Sequence, residues 1–221
     1  MSPPLFEVVT ATATAAARRL TTAANVRAMI GSPSGDDTKL ESIIDRVSGD
    51  AATYCKLARG IAGELPTFGT EALRATWQKA SATRRTKLIL PWRAPVTAVT
   101  SVVEDGVTLA AGTDYKLVGG SMIERLSADT PICWSCGMIV LLYTAGWILP
   151  AGVPPTLEGK VIEQVKTVYM GADRDHAIRS ETINDVYAAQ YAVPGGDSIG
   201  ASGLLMELES ALSPFKDWSA G

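Results

Sequence analysis

Histidine and cysteine are scarce in this chain, with one and three among 221 residues. A single imidazole, His176, cannot supply a multi-histidine metal site and leaves little for imidazole-based catalysis. Three cysteines are too few, and odd in number, for a disulfide scaffold, which points to a reducing compartment. Cationic excess is also missing. Lys and Arg total 20 against 23 Asp and Glu, giving a net charge of −3 and a pI near 5.3. Such a surface does not grip nucleic acid by overall charge. No apolar run approaches the roughly 18 residues of a membrane-spanning helix. The opening Met1-Ser2-Pro3-Pro4 lacks the basic and apolar segments of a secretory leader, so none is expected. Together these shortages argue against most enzyme classes, while 47% hydrophobic residues suffice for one compact domain or two small ones.

The helical signals lie in the first third and beyond residue 154. Residues 10 to 24 are dominated by Ala and Thr and have little to bury. A short helix is predicted from a cap at Thr21 or Thr22 to Ile30, broken by Gly31 to Gly35. Asp36 and Asp37 open the clearest helix. Leu40, Ile43, Ile44, Val47, Ala51, Tyr54, Cys55 and Ala58 recur at three- and four-residue steps and fall on one stripe. Gly60 and Gly63 are its expected stop. Pro154-Pro155-Thr156 restarts a helix whose stripe is Leu157, Val161, Ile162, Val165, Val168 and Tyr169, ending at Asp173-Arg174-Asp175.

Between Glu71 and Trp147 the pattern changes to strands. Asp105-Gly106 between apolar segments is a strong hairpin signal. Further turns at Ala111-Gly112 and Gly119-Gly120 suggest a small antiparallel sheet of about five strands. After an extended stretch from Ile178 to Tyr191, residues 193 to 203 read as a flexible tether. Leu204, Leu205, Leu208, Ala211 and Leu212 then form a short amphipathic helix, trailed by Phe215 and Trp218. A loose tether ending in an apolar segment suggests a docking arm.

Several motifs invite chemistry. Cys133-Trp134-Ser135-Cys136 has the spacing of a redox pair or half a zinc site. A redox pair needs its first cysteine at a helix N-terminus, whereas a strand-like run, Met138 to Tyr143, follows here, so the plain reading is a turn between strands. Cys55, on the long helix stripe, reads as a small buried hydrophobe. His176 reads as a solvated helix end, with a pH-sensitive subunit contact as the alternative. Asp36 and Asp37 read as helix caps. Arg84, Arg85 and Lys87 form the compact basic cluster, suited to protecting a strand edge or to touching DNA phosphates or an acidic neighbour. Gly31 to Gly35 lacks the Lys-Ser/Thr ending of a phosphate loop. Trp77, Trp92, Trp134 and Trp147 sit in or beside the sheet as core or interface residues, while Trp218 and Phe215 could form a hot spot on a partner. No cofactor and no metal are expected.

The order of elements, with several local strings, resembles the head–tail connector (adaptor) proteins of long-tailed bacteriophages and gene transfer agents. The resemblance covers roughly residues 5 to 191. It rests on Val8-Val9-Thr10, Leu20-Thr21, the long helix from Asp36-Asp37, Thr76-Trp77, Leu88 to Pro91, Pro95-Val96 with Val99 and Val102, Asp105-Gly106 and Asp114-Tyr115. It continues through Gly137 to Val140, Tyr143 to Trp147, Val153-Pro154, Ile178 to Glu181, Ile183, Asp185-Val186 and Tyr191. The connector pattern lacks Cys133 and Cys136.

The resemblance implies an α+β fold in which a helical core (20–62 and 155–172, with a long helix over about 36–60) carries a small antiparallel insertion at 69–148. Residues 1–191 would be one adaptor domain and 192–221 a flexible arm. It further implies a non-enzymatic virion protein at the head–tail junction, assembled in the host cytoplasm. Twelve copies would form a ring between the portal and a head-closure (stopper) or tail protein, with packaged DNA passing through and no membrane involved. The expected portal-docking residues are Leu204, Leu205, Leu208, Leu212, Phe215 and Trp218. Candidate lumen-facing residues are Glu41, Asp45 and Asp50, on the polar side of the long helix. The alternatives are another neck component, such as a head-closure or tail-completion protein, and a redox protein using Cys133 and Cys136.

Overall fold

The computed structural model describes residues 5–10, 14–31, 35–57, 59, 63–78, 85–90, 95–135, 137–172, 180–183, 187–190 and 202–216. Four helices form one body: α1 (Ala23–Ile30), α2 (Asp37–Tyr54), α3 (Pro155–Ala172) and α4 (Met206–Leu212). The Thr22 side chain caps α1 by accepting from the Asn25 amide at 3.1 Å, and Gly31 closes it in the left-handed region. The expected stripe of α2 is buried from Leu40 through Ala51. That helix stops at Tyr54, earlier than the glycines suggest. Lys56 takes the left-handed conformation (φ 57°), the Leu57 amide donates to the Ala52 carbonyl, and the Lys56 amide donates to Thr53. This is a Schellman closure with lysine at the usual glycine position. Val26, Leu40, Ile44, Val47, Leu157, Val161, Val165, Leu208 and Leu212 share one apolar core.

The strands build a sandwich. One sheet runs in the order β1 (Leu5–Thr10), β2 (Glu71–Trp77), β9 (Ile139–Ala145), β4 (Val96–Glu104), β5 (Val107–Thr108). The other runs β3 (Lys87–Ile89), β7 (Met122–Ser127), β6 (Tyr115–Val118), with β8 (Thr130–Pro131) paired to β7. All of these strand pairings are antiparallel. Leu73, Ala75 and Trp77 of β2, Val102 of β4, and Ile139, Leu141 and Tyr143 of β9 pack against Leu88, Tyr115 and Ile123 of the second sheet. The Asp105-Gly106 turn joins β4 to β5 as its sequence predicts. A separate hairpin pairs β10 (Ser180–Ile183) with β11 (Tyr187–Gln190).

The fold is α+β, but the expected small module is corrected: the inserted region is two large antiparallel sheets with a core of their own. Strand β1 recruits the chain's start into this sandwich, because Val8 and Phe6 supply apolar side chains to its core at alternate positions.

The two bodies meet at an aromatic junction. Phe68 stacks on Trp147 with centroids 5.3 Å apart, and Phe215 sits edge-on to both, at 6.5 and 5.1 Å. Beside it, Gly146 adopts φ 119°, and a Cβ there would lie 2.2 Å from the Gly69 carbonyl oxygen. Only glycine permits that approach of the two backbones.

Candidate functional site

The sequence points to the C-terminal segment as the functional element, and the structure places that segment on the chain's own helices. Leu204, Leu208 and Leu212 are buried in the core shared with α2 and α3, while Leu205 and Phe215 are half-buried against it. Over residues 202–216 the expected arm packs on α2 and α3 of its own chain. Burying three leucines is worth about 1.5–3 kcal/mol each, more than exposure in water can match. Trp218, and the tether up to residue 201, lie outside the described residues.

Polar contacts fix the register of the docked segment. Gln164, buried on α3, accepts from the Leu205 amide at 2.7 Å. Lys160 bridges Glu163 at 2.9 Å and Glu207 at 2.5 Å. Its hydrogen bond to Lys160 holds Glu207 below the usual carboxylate range, and the same bond raises Lys160. The Cys55 thiol donates to the Leu212 carbonyl at 3.6 Å, and burial pushes its pKa up to about 12, which leaves it inert at neutral pH. Lys216 lies 4.3 Å over the Tyr54 ring. A groove of about 500 Å³ beside this joint is lined by Glu163, Lys166, Thr167, Leu205, Met206 and Glu207.

The candidate lumen residues have different surroundings on α2. Arg19 pairs with Asp45 at 2.7 Å and with Glu41 at 3.2 Å, so one cation sits on two carboxylates. Asp50 is exposed and lies elsewhere on α2. At about 100° per residue it falls roughly 140° around the helix from Asp45 and 180° from Glu41.

Asp36 is at the N-cap position but makes no capping bond; its carboxylate accepts from the Tyr169 hydroxyl, tying α2 to the end of α3. Asp37 pairs with Arg27 of α1 at 3.2 Å.

In the sandwich, Cys133 is exposed in the loop between β8 and β9, Trp134 is buried, and Cys136 lies outside the described residues. Glu104 of β4 and Arg125 of β7 face each other between the sheets at 2.8 Å. Glu104 also accepts from the Ser135 amide at 2.6 Å, and Asp105 accepts from the Ser135 hydroxyl and the Met138 amide, both at 2.9 Å. These carboxylates hold the loop shut. Lys87 and Lys116 flank Glu124 at 3.5 and 2.9 Å, and the Lys116 hydrogen bond is the main cause that lowers its pKa. Trp77 and Trp147 are buried as expected. Arg84, Trp92 and His176 lie outside the described residues. Among the described residues no three His, Cys, Asp or Glu side chains are grouped to hold a metal ion.

Sequence reasoning missed Arg19, Lys160 and Gln164. Only Gln164 left a local signal, as a polar residue between Val161, Ile162 and Val165 on a buried stripe.

No family model matches the sequence, and no curated protein matches it. Among solved structures, a chain in the neck of a native gene transfer agent (GTA) particle computed with C12 symmetry superposes with a TM-score of 0.50 at 18% identity. The match covers 96% of this chain and 94% of that one. The two chains share a fold. A chain of the native GTA virion and one from the neck of the empty GTA particle, computed with C6 symmetry, each give 0.48 at 21% identity. They cover 75% and 77% of this chain, and 84% and 86% of their own lengths.

Proposed function

We propose that the chain is a structural protein of a virion neck: a head–tail connector that forms a ring of twelve around the DNA exit channel. It would sit between the portal and a head-closure or tail protein, after assembly in the host cytoplasm. The observation that carries this reading is the end-to-end likeness to a neck chain, over 96% of this protein and 94% of the other. Both bodies, helical and sandwich, fall within that match. The work is mechanical, with no reaction and no cofactor.

The charge balance suits a channel. Each cationic contact to DNA phosphate adds affinity through counterion release, and a net charge of −3 avoids a wall that holds DNA back. Arg19 is already engaged by two of the candidate lumen carboxylates, Glu41 and Asp45. A second reading, a head-closure or tail-completion protein, draws on the size of the two sheets. The four-helix body with its own core favours the connector.

Removing the protein from the particle-producing cell tests the reading. The expected result by electron microscopy is DNA-filled heads and separate tails, with joining restored by supplying the protein in trans. Normally tailed particles in its absence contradict it.

A further inference from the structure

Strand β9 reads Ile-Val-Leu-Leu-Tyr from 139 to 143, five apolar residues in succession. A strand with one face in water alternates apolar and polar residues, whereas an uninterrupted apolar run belongs to a strand covered on both faces. Among the described residues, no helix and no other sheet packs on the second face of β9. Ile139, Leu141 and Tyr143 are buried between the sheets, while Val140 and Leu142 point away from them and stay half-exposed.

Register extends that outer face into a patch. Val140 lies between Thr76 and Val103, and Leu142 between Arg74 and Ser101. Leu5 and Glu7 of β1 continue the two rows. Its charges, Glu7 and Arg74, pair with each other at 3.2 Å, so the patch is neutral. None of these residues belongs to the helical core.

The second sheet presents its own outer face on the opposite side of the sandwich. There Ile89, Met122 and Val118 form an apolar row beside the charged row Lys87, Glu124, Lys116. Ile89 is 57% exposed.

We propose that these two outward faces are the two halves of the subunit interface: the β9 face of one copy packs on the β7 face of the next. The proposal rests on the ring reading above and specifies its contact. A closed ring of identical copies needs two unlike, mutually fitting patches on different sides of each protomer. A sandwich with an apolar row on each outer face supplies them. The neutral Glu7–Arg74 pair leaves no charge on the first face to repel the surplus lysine of the second.

A photo-cross-linking residue at Ser101, in an equal mixture of ¹⁴N- and ¹⁵N-labelled full-length protein, tests the contact. Sedimentation is run on the same samples, and mass spectrometry identifies mixed-isotope peptides. The expected result is an oligomer in which Ser101 captures residues 115–124 of another copy. As a second variant, Leu142→Arg should weaken self-association at least tenfold with an unchanged far-UV spectrum, while Ser42→Arg on the exposed side of α2 should not. An oligomer whose cross-links run to the same β9 face or to the helices overturns the pairing and leaves the ring standing. A chain that stays monomeric at all concentrations, with no mixed-isotope peptide, overturns both.

Discussion

Cys55 and Leu212 meet where the C-terminal helix closes over the long one: the thiol donates to the carbonyl oxygen at 3.6 Å, inside the apolar core. This contact makes Cys55 a reporter of whether α4 is docked. With its pKa near 12 and its sulfur buried, Cys55 should resist maleimide labelling at pH 7 while exposed Cys133 reacts readily. Deleting residues 203–221 should speed labelling of Cys55 at least tenfold, read peptide by peptide in a mass spectrometer. Equal rates in both proteins would mean that α4 does not cover it.

Leu208 is fully buried, so its truncation leaves a cavity in the helical core. Leu208→Ala should cost about 2–5 kcal/mol in urea unfolding, and Leu208→Asp more, because it buries a carboxylate with no partner. If Leu208 belonged to a free arm, both would unfold at the wild-type midpoint.

Two glycines should differ in tolerance. At Gly146 a Cβ would meet the Gly69 backbone at 2.2 Å and φ is 119°, so Gly146→Ala should cost about 2–6 kcal/mol from overpacking and strain together. At Gly137 the obstacle is the Asp105 carboxylate, 1.6 Å from the added carbon. A side chain can turn away, at the expense of its bonds to Ser135 and Met138. Gly137→Ala should therefore cost less, and adding Asp105→Ala should recover part of it. Thermal unfolding of the three variants checks the order.

The Lys160–Glu207 clasp gives α4 a pH window. Glu207 is held below its ordinary 4.5, so its contribution is complete above that pH and fades as pH falls through the lowered folded value. Lys160 is held above 10.5, so its contribution is complete below that pH and fades as pH rises through the raised value. Hydrogen exchange in α4 should be slower in wild type than in Glu207→Gln at pH 7, and the two should converge near pH 3. Parallel behaviour at both pH values would show that the pair contributes nothing. Because Glu207 is exposed and Lys160 only half-buried, 0.5 M salt should narrow the gap.

Local signals marked α1, α2 and α3 well, since a threonine cap and three- and four-residue apolar spacing act within a few residues. The end of α2 was hidden because Lys56, with no compositional mark, takes the left-handed turn. The amphipathic pattern of α4 was visible, but its partner was not. Leu208 needs an apolar neighbour, and nothing local distinguishes the chain's own α3 from another protein. The Arg19 ion pairs were hidden for a related reason: Arg19 is 26 residues from Asp45, beyond the reach of spacing arguments. The number of strands was underread because β5 and β8 are two residues long and β1 stands apart from its partner β2 in sequence.

Cryo-electron microscopy of the assembled particle's neck, reconstructed without imposed symmetry, decides whether this chain is a neck connector. Twelve copies of this chain are expected in one ring beneath the portal, each with its helical body and sandwich resolved and DNA on the axis. A neck built entirely from other polypeptides, or this chain found at a different place in the particle, would contradict it.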